Sequence, residues 1–350
     1  MLWKIHSFNE YPGNLWQDWD RLNALHCESH PMLDSRFVRS LTEHFPAKIE
    51  VLSAHQDGTC TAIILLEKSS SFIKRPYLPS QAQLALAVFP NDIDDFNPFG
   101  KARLQLPALR LDLIAIDSKY QKGIAALNTA EVKTRAINIV VDMAGSFEQY
   151  WNNRPRNLRK NMSRYINRAD KDLNGYELKV VTDKAAMELS VARYGFLESR
   201  GWKGKANTAL HPGNSQGNFY RDVLEQFASS NHAFIFEIWA NNMLMASRIC
   251  IGNGDLLIIL KTTFDEQFRK HAFGKILLFE TLNFIFTNSS ARTVDFYTNA
   301  TKDQLDWSTD SRPMFNISFY KPYFQVLFKQ AQRTKRTLRS RRQVNRVQCE

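Results

Sequence analysis

The sequence predicts an α/β fold of the mixed α+β kind: two domains with central mixed, largely antiparallel sheets flanked by helices. Three observations lead there. A chain of 350 residues is long for one compact core, so two domains are the natural division. Apolar residues recur at both helical and strand periods. Three strand-like runs then follow one another between positions 232 and 263, joined by Asn241-Asn242 and Gly252-Asn-Gly, tight-turn signals that specify an antiparallel meander.

In chain order, Gln17 to Cys27 and Asp34 to His44 read as helices, the second with Asp34 as N-cap and Phe37, Val38, Leu41 and Phe45 as its apolar stripe. Lys48 to Ala54 and Thr59 to Glu67 read as strands around a Gln-Asp-Gly turn. The segment from Asp94 to Gly100 reads as a loop, and Leu109 to Asp117 and Arg135 to Asp142 as buried strands. Ser146 precedes a short helix, Phe147 to Trp151, and Pro155 opens a longer amphipathic one with Leu158, Met162, Tyr165, Ile166 and Ala169 on its apolar side. A strand, Tyr176 to Val181, and two helices, Asp183 to Glu198 and Ser215 to Ser229, lead into the meander His232 to Trp239, Met243 to Ile251 and Asp255 to Thr263. A polar loop then enters the apolar helix Ile276 to Phe286, followed by a strand Thr293 to Thr298. The halves are placed at 1–145 and 146–328, with a basic tail at 329–350.

Composition excludes several classes. With 44% hydrophobic, 23% charged and 12% aromatic residues, the chain is neither disordered nor a disulfide-dense miniprotein. Cys27, Cys60, Cys250 and Cys349 form no CxxC pair, which argues against a zinc ribbon and for a reducing, cytoplasmic setting. Neither a signal peptide nor a membrane-length apolar run is legible. The net charge of +11 is concentrated at the end: from Lys329 onward eight basic residues face one acid, so the tail carries +7 of it. That tail suits an anionic membrane surface, which places the protein peripherally at the inner membrane face. It lacks the interleaved aromatics of a nucleic-acid binder.

The chemistry is read from the strand Asp255 to Thr263, the basic loop Arg269 to Gly274 and the helix from Lys275. That order aims free backbone N–H groups and a helix dipole at an anion. Arg269, Lys270 and Lys275 add positive charge, Gly274 allows close approach, and Phe273 sits beside it. Taken alone, a single glycine ahead of a buried helix is more often just a plain turn.

The stretch from Leu260 to Leu278, with Asp95-Phe-Asn-Pro-Phe, Arg156-Asn-Leu-Arg-Lys-Asn, Glu198-Ser-Arg-Gly-Trp-Lys-Gly, Val294-Asp-Phe-Tyr, Thr301-Lys302 and Trp307, resembles the GNAT acyltransferase superfamily. The likeness is to its cellulose-biosynthesis type, which is similar to the FemABX transferases in carrying two GNAT-like halves. It spans roughly Val51 to Tyr323. The resemblance implies tandem GNAT-like domains, the first degenerate, and an acyl-CoA-dependent N-acyltransferase, an acetyltransferase above all. Its acceptor would be a small-molecule or lipid-linked amino sugar, or a related precursor of envelope polysaccharide, and no metal would be needed. The loop reads Lys-His-Ala-Phe-Gly-Lys where the superfamily usually shows Arg/Gln-x-x-Gly-x-Gly/Ala. The donor therefore stays open between acetyl-CoA, a longer acyl-CoA and aminoacyl-tRNA, and a catalytically silent module that recruits a polysaccharide-synthesis complex to the membrane stays open beside them.

By the same resemblance the thioester lies between parted strands, Asp255 to Thr263 and Thr293 to Thr298. Asp295 and Glu237 are then the candidate bases and Tyr297 the candidate acid for the departing thiolate. Lys302, Arg200 and Trp202 are candidates for binding substrate, with Lys203 beside them. His26 and His30, four residues apart, suggest a metal pair, but Pro31 ends that helix and no further ligands are near.

Overall fold

The computed structural model describes residues 2–68, 72–91, 108–121, 130–201, 204, 208–321 and 323–324. The Asp95 motif, Trp202, Lys203 and the basic tail from Lys329 lie outside the described residues. The strands are β1 (Leu2–Ser7), β2 (Ile49–Gln56), β3 (Thr59–Glu67), β4 (Ile73–Pro76), β5 (Ala87–Val88), β6 (Arg110–Asp117), β7 (Ala130–Asp142), β8 (Glu177–Val181), β9 (Ala233–Ala240), β10 (Met243–Gly252), β11 (Leu256–Phe264), β12 (Thr293–Asp295) and β13 (Asp310–Tyr320). The helices are α1 (Leu15–Cys27), α2 (Ser35–His44), α3 (Phe147–Asn152), α4 (Arg156–Leu173), α5 (Lys184–Ser199), α6 (Ser215–Ala228), α7 (Phe273–Asn288) and α8 (Lys302–Leu305).

Local chemistry starts the helices where the side chains predict. Asp34 accepts from the Arg36 N–H, Asp183 from Ala185 and Asn214 from Gly217, each meeting a backbone donor left over at a helix start. Ser146 and Gln149 close a capping box on α3. Asp57 and Gly58, at φ 50° and 81°, make the β2–β3 turn, and Asn241 and Asn242, at 49° and 58°, make the β9–β10 turn.

The strands form one continuous mixed sheet in the order β1-β2-β3-β4-β6-β13-β7-β12-β11-β10-β9-β8, with β5 beside β3. Among the described strands the β4–β6 and β11–β12 pairs are parallel and the others antiparallel. The separate sheets expected for two halves are fused because β13, from the end of the chain, enters between β6 and β7 while β7 pairs with β12. Pro313 argues against a central strand there, yet it is accommodated: it lies opposite Ile137 of β7, one residue before pairing with β6 begins at Met314.

Helices cover both faces. On one face α1, α2, α5 and α6 share a core that includes Trp19, Phe37, Tyr194, Phe219 and Leu260. This layer spans the halves, with Phe37 edge-on to Phe219 at 5.3 Å and His44 Nε2 at 2.6 Å from Asp222. On the other face α3, α4 and α7 bury Met162, Phe273, Ile276 and Leu282 against β9 to β12. No described helix is long and apolar enough to cross a membrane.

Candidate active site

The parallel strands β11 and β12 pair at Leu256–Thr293, Leu257–Val294 and Ile258–Asp295, and there the pairing ends. The expected strand Thr293 to Thr298 is thus only three residues long. The following segment is stitched to β7 instead: Phe296 N–H donates to the Ile139 carbonyl, Thr298 N–H to Asn138 Oδ1 and Ala300 N–H to the Ile137 carbonyl. β11 stays paired with β10 as far as Phe264, through a bulge at Leu260, so a gap opens. It is a cleft of about 660 Å³ with Ile259, Leu260 and Thr262 on one lip and Phe296, Tyr297 and Thr298 on the other. A second hollow of about 330 Å³, lined by Ala82, Ala115, Arg135 and Met314, meets it at Gln83, Tyr297 and Thr298. The cleft lies beyond the carboxyl ends of the parallel pair, where open α/β sheets bind ligands.

The mouth of the cleft is the start of α7. A 3-10 turn (Glu266–His271) leads to Ala272, at φ 57°, and α7 begins at Phe273 rather than Ile276. The basic loop is therefore partly helix. Phe273 and Gly274 occupy its first two positions, where backbone N–H groups have no acceptor within the helix. Arg269 and Lys275 line the cleft, and Lys275 Nζ lies 3.2 Å from Asp303 on the opposite wall. Lys270 turns away to Asp172 at 3.2 Å. Hydrogen bonds from Lys270 and His271 hold the Asp172 carboxyl below its ordinary range. Arg168 of α4 donates to the Lys270 carbonyl, so α4 braces the turn. The Phe273 side chain is buried in the core and stacks on His271, while Ala272, Gly274 and Lys275 line the mouth. At Gly274 an added Cβ would lie 3.0 Å from Phe264 Cδ1, so the close approach that this glycine allows is to the β11 ring.

Behind the Tyr297 lip sits a buried polar network. Arg312 of β13 makes a fork to Asp117, at 2.7 and 2.6 Å, and also reaches Asp295 at 2.5 Å. Asn138 donates to Asp295 at 2.6 Å. The Tyr297 hydroxyl donates to Asp117 and lies 2.7 Å from His30 Nε2. Because His30 Nδ1 accepts from the Met32 N–H, its proton belongs on Nε2, which donates to the tyrosine oxygen. Complete burial draws the His30 pKa down to about 3, so the ring is neutral. Burial pushes the Asp117 carboxyl up, but the hydrogen bonds and charge of Arg312 outweigh it and hold Asp117 below its ordinary value. Burial dominates at Asp295, which rises despite Arg312. Burial and the two carboxylates drive the Tyr297 phenol far above its usual range. Tyr297 itself is held at φ 40°, a left-handed backbone that a tyrosine adopts at a cost.

These positions revise the sequence-derived roles. Asp295 is 2% exposed, ion-paired and absent from the cleft wall, so it offers no free base to a substrate. Glu237 points elsewhere: it is 1% exposed and bound by Arg193 and the Trp239 indole, tying β9 to α5. Tyr297 lines the cleft, but its hydroxyl proton is committed to Asp117. Lys302 is exposed at the start of α8, whose next residues, Asp303 and Gln304, line the cleft. Arg200, at the end of α5, lies 3.8 Å from Asp265, near the turn that leads to α7. His30, expected at a surface helix end, is instead a core residue against Tyr297.

Several wall residues escaped the sequence reading. Arg248 of β10 is 4% exposed, donates from Nε to Thr262 Oγ1 at 3.0 Å and, among the described residues, has no acceptor for its Nη1. Burial lowers its pKa to about 10. Its signal was a lone charge inside the apolar run Met243 to Ile251. Gln83, which donates to the Leu260 carbonyl at 3.4 Å, and Tyr165 of α4 carried no comparable signal.

Residues 156–305 match the family model described as an acetyltransferase (GNAT) domain. The fold is shared with FemX, at a TM-score of 0.55 and 9% identity over 92% of this chain and 99% of FemX. It is also shared with the C-terminal domain of a putative lysylphosphatidylglycerol synthetase from Agrobacterium fabrum, at 0.54 and 11% identity over 86% and 91%. A conserved protein of unknown function from Bacteroides thetaiotaomicron gives 0.52 and 12% identity over 88% and 98%. No curated protein matches the chain in sequence.

Proposed function

We propose that the chain is an acyl-CoA-dependent N-acyltransferase, acting with acetyl-CoA on an amino sugar or related envelope polysaccharide precursor. The observation that carries this reading is the parting of β11 from β12 directly beside the start of α7. A phosphorylated thioester fits the residues present. Its phosphates would meet the Phe273 and Gly274 N–H groups, with Arg269 and Lys275 supplying charge and exposed Lys302 within reach of the same rim. Its arm would run into the gap along the free edge of β11. The thioester supplies the acyl group.

Gln83 reaches the Leu260 carbonyl at the cleft, and the β10–β11 register skips Leu260, a bulge that leaves its N–H outside the ladder. That N–H would donate to the acyl oxygen as negative charge develops on it when an amine attacks, and the C–S bond then breaks to release the CoA thiolate, which takes a proton from water. Among the described lining residues the only carboxylate is Asp303, already paired with Lys275, so the amine proton leaves to water at the open mouth. Asp295 and Tyr297 serve as positioning residues that fix the far lip. Arg200, and Trp202 beyond it, would meet the acceptor, and the basic tail would hold the protein at an anionic membrane surface.

Melting the protein with acetyl-CoA tests the donor. At a hundredfold excess over Kd, binding adds about 2.7 kcal/mol, which for a chain of this length raises Tm by about 4 °C. An unchanged melt at millimolar acetyl-CoA would refute the reading.

A second reading, aminoacyl transfer from tRNA, is favoured by the exposed bases of α4, Arg156, Lys160 and Arg164, on the helix that braces the turn and contributes Tyr165 to the cleft. The fold shared with FemX and the lysylphosphatidylglycerol synthetase domain accords with it. Protection of 156–168 by tRNA at low salt would support it, and no effect of tRNA would remove it.

A further inference from the structure

We propose that Arg248 is the acceptor anchor of the cleft: the acceptor carries an oxyanion, a carboxylate or a phosphate, that docks on its guanidinium beside Gln83. The inference rests on the acyl-transfer reading and supplies the chemical class of the second substrate.

Among the described residues, Arg248 is unlike the other enclosed cations. Buried Lys74 lies 2.5 Å from Glu50, Arg312 serves Asp117 and Asp295, and Arg193 holds Glu237. Arg248 has a hydroxyl on Nε and, among the described residues, no acceptor on Nη1. The titratable groups that act on it are Cys250 and Tyr194, and burial raises both, Cys250 to about 12, so both are neutral and supply no counter-charge. Glu198, on the same helix as Tyr194, accepts from the Leu210 N–H at 2.7 Å and lies 3.7 Å from Lys261. A buried guanidinium without a carboxylate is costly to folding, and it is tolerated where a ligand completes it.

Its position points to the acceptor rather than the donor. The donor phosphates belong at the start of α7, which packs on the sheet face that buries Phe273, Ile276 and Ile259. Arg248 interacts with Tyr194 of α5, and α5 packs on the opposite face with Leu260. The second hollow opens on that face, since Ala82, Ala115, Tyr297 and Met314 of its lining belong to the same core. It meets the main cleft at Gln83, whose Oε1 also has no donor. One cleft wall thus holds an unmatched cation and an unmatched acceptor on the side away from the donor helix. An acceptor with an oxyanion for Arg248 and an N–H or O–H for Gln83 satisfies both.

The test melts the full chain and Arg248→Met with sodium succinate, inorganic phosphate or sodium chloride at matched ionic strength, and separately with acetyl-CoA. Without additives R248M should melt higher than wild type, because it removes an uncompensated charge. Succinate or phosphate should raise the wild-type Tm by about 2 °C or more and leave R248M unmoved, the responding anion telling carboxylate from phosphate. Arg248→Lys should keep part of the response. Both variants should keep the acetyl-CoA shift. Equal anion shifts in wild type and R248M, no anion shift in wild type, or an R248M that melts lower would each overturn the proposal. Loss of the acetyl-CoA shift in wild type would count instead against the donor reading.

Discussion

Replacing Arg312 by Met should be among the most damaging single changes to stability outside the apolar core. The guanidinium is the shared counter-ion of Asp117 and Asp295, each 2% exposed, and methionine fills similar space without charge. Breaking a buried pair by removing one partner costs about 3–5 kcal/mol, because the other charge is stranded. Unfolding entropy near 2.1 cal/mol/K per residue gives about 0.7 kcal/mol/K for this chain, so the loss corresponds to about 4–7 °C in Tm. The pH dependence carries a second signature. In the wild type, Asp117 is held low, so its share of stability is present above the unfolded pKa and fades as pH falls through the folded one. Asp295 is held high, so its share is present below the unfolded pKa and fades as pH rises through the folded one. Without Arg312 both carboxylates would sit high and both would be relieved by protonation. The deficit of R312M should therefore be largest near pH 8 and shrink toward about pH 5. Urea unfolding at several pH values measures it. A variant within about 1 kcal/mol of wild type at neutral pH, or a deficit that does not shrink on acidification, would refute the reasoning.

Three further outcomes are expected. His30, folded pKa about 3, leaves the unfolded chain to take up the proton first, so wild-type stability should fall by about 2 kcal/mol between pH 6.5 and 5; urea unfolding of His30→Gln should lack that component. Lys275→Ala should weaken acetyl-CoA binding by about 3- to 30-fold in calorimetric titration, and Asp303→Asn, which frees Lys275 from its 3.2 Å partner, should tighten it. Gly274→Ala should change stability by less than about 1 kcal/mol, since better helix propensity offsets the push on half-exposed Phe264, whereas Gly274→Val should narrow the mouth and abolish the acetyl-CoA melting shift.

Local code made much of the fold legible. The caps at Asp34, Ser146 and Asp183 and the turns at Asp57-Gly58 and Asn241-Asn242 act through neighbours a few residues away, so each is written where it operates. β1, β4, β5 and β13 were not read. β13 carries Pro313, an apparent breaker, and is made a strand by partners nearly two hundred residues earlier. At the site, the basic turn and the gap beside it were anticipated, but the gap arises because the residues after Asp295 bond to β7, and nothing within 293–300 announces that preference.

Short-range chemistry fixes the helices and most of the strands, and the basic turn ahead of an apolar helix, because propensity, capping and periodicity act over a few residues. The tertiary structure alone decided which polar residues face the cleft. Asp295, Glu237 and Tyr297 alternate on strands like candidate catalysts, and only the arrival of Arg312, Arg193 and His30 from distant elements consumes them as internal partners. Arg248 shows the converse, a charge in an apolar strand whose missing partner becomes apparent once every neighbour is in place.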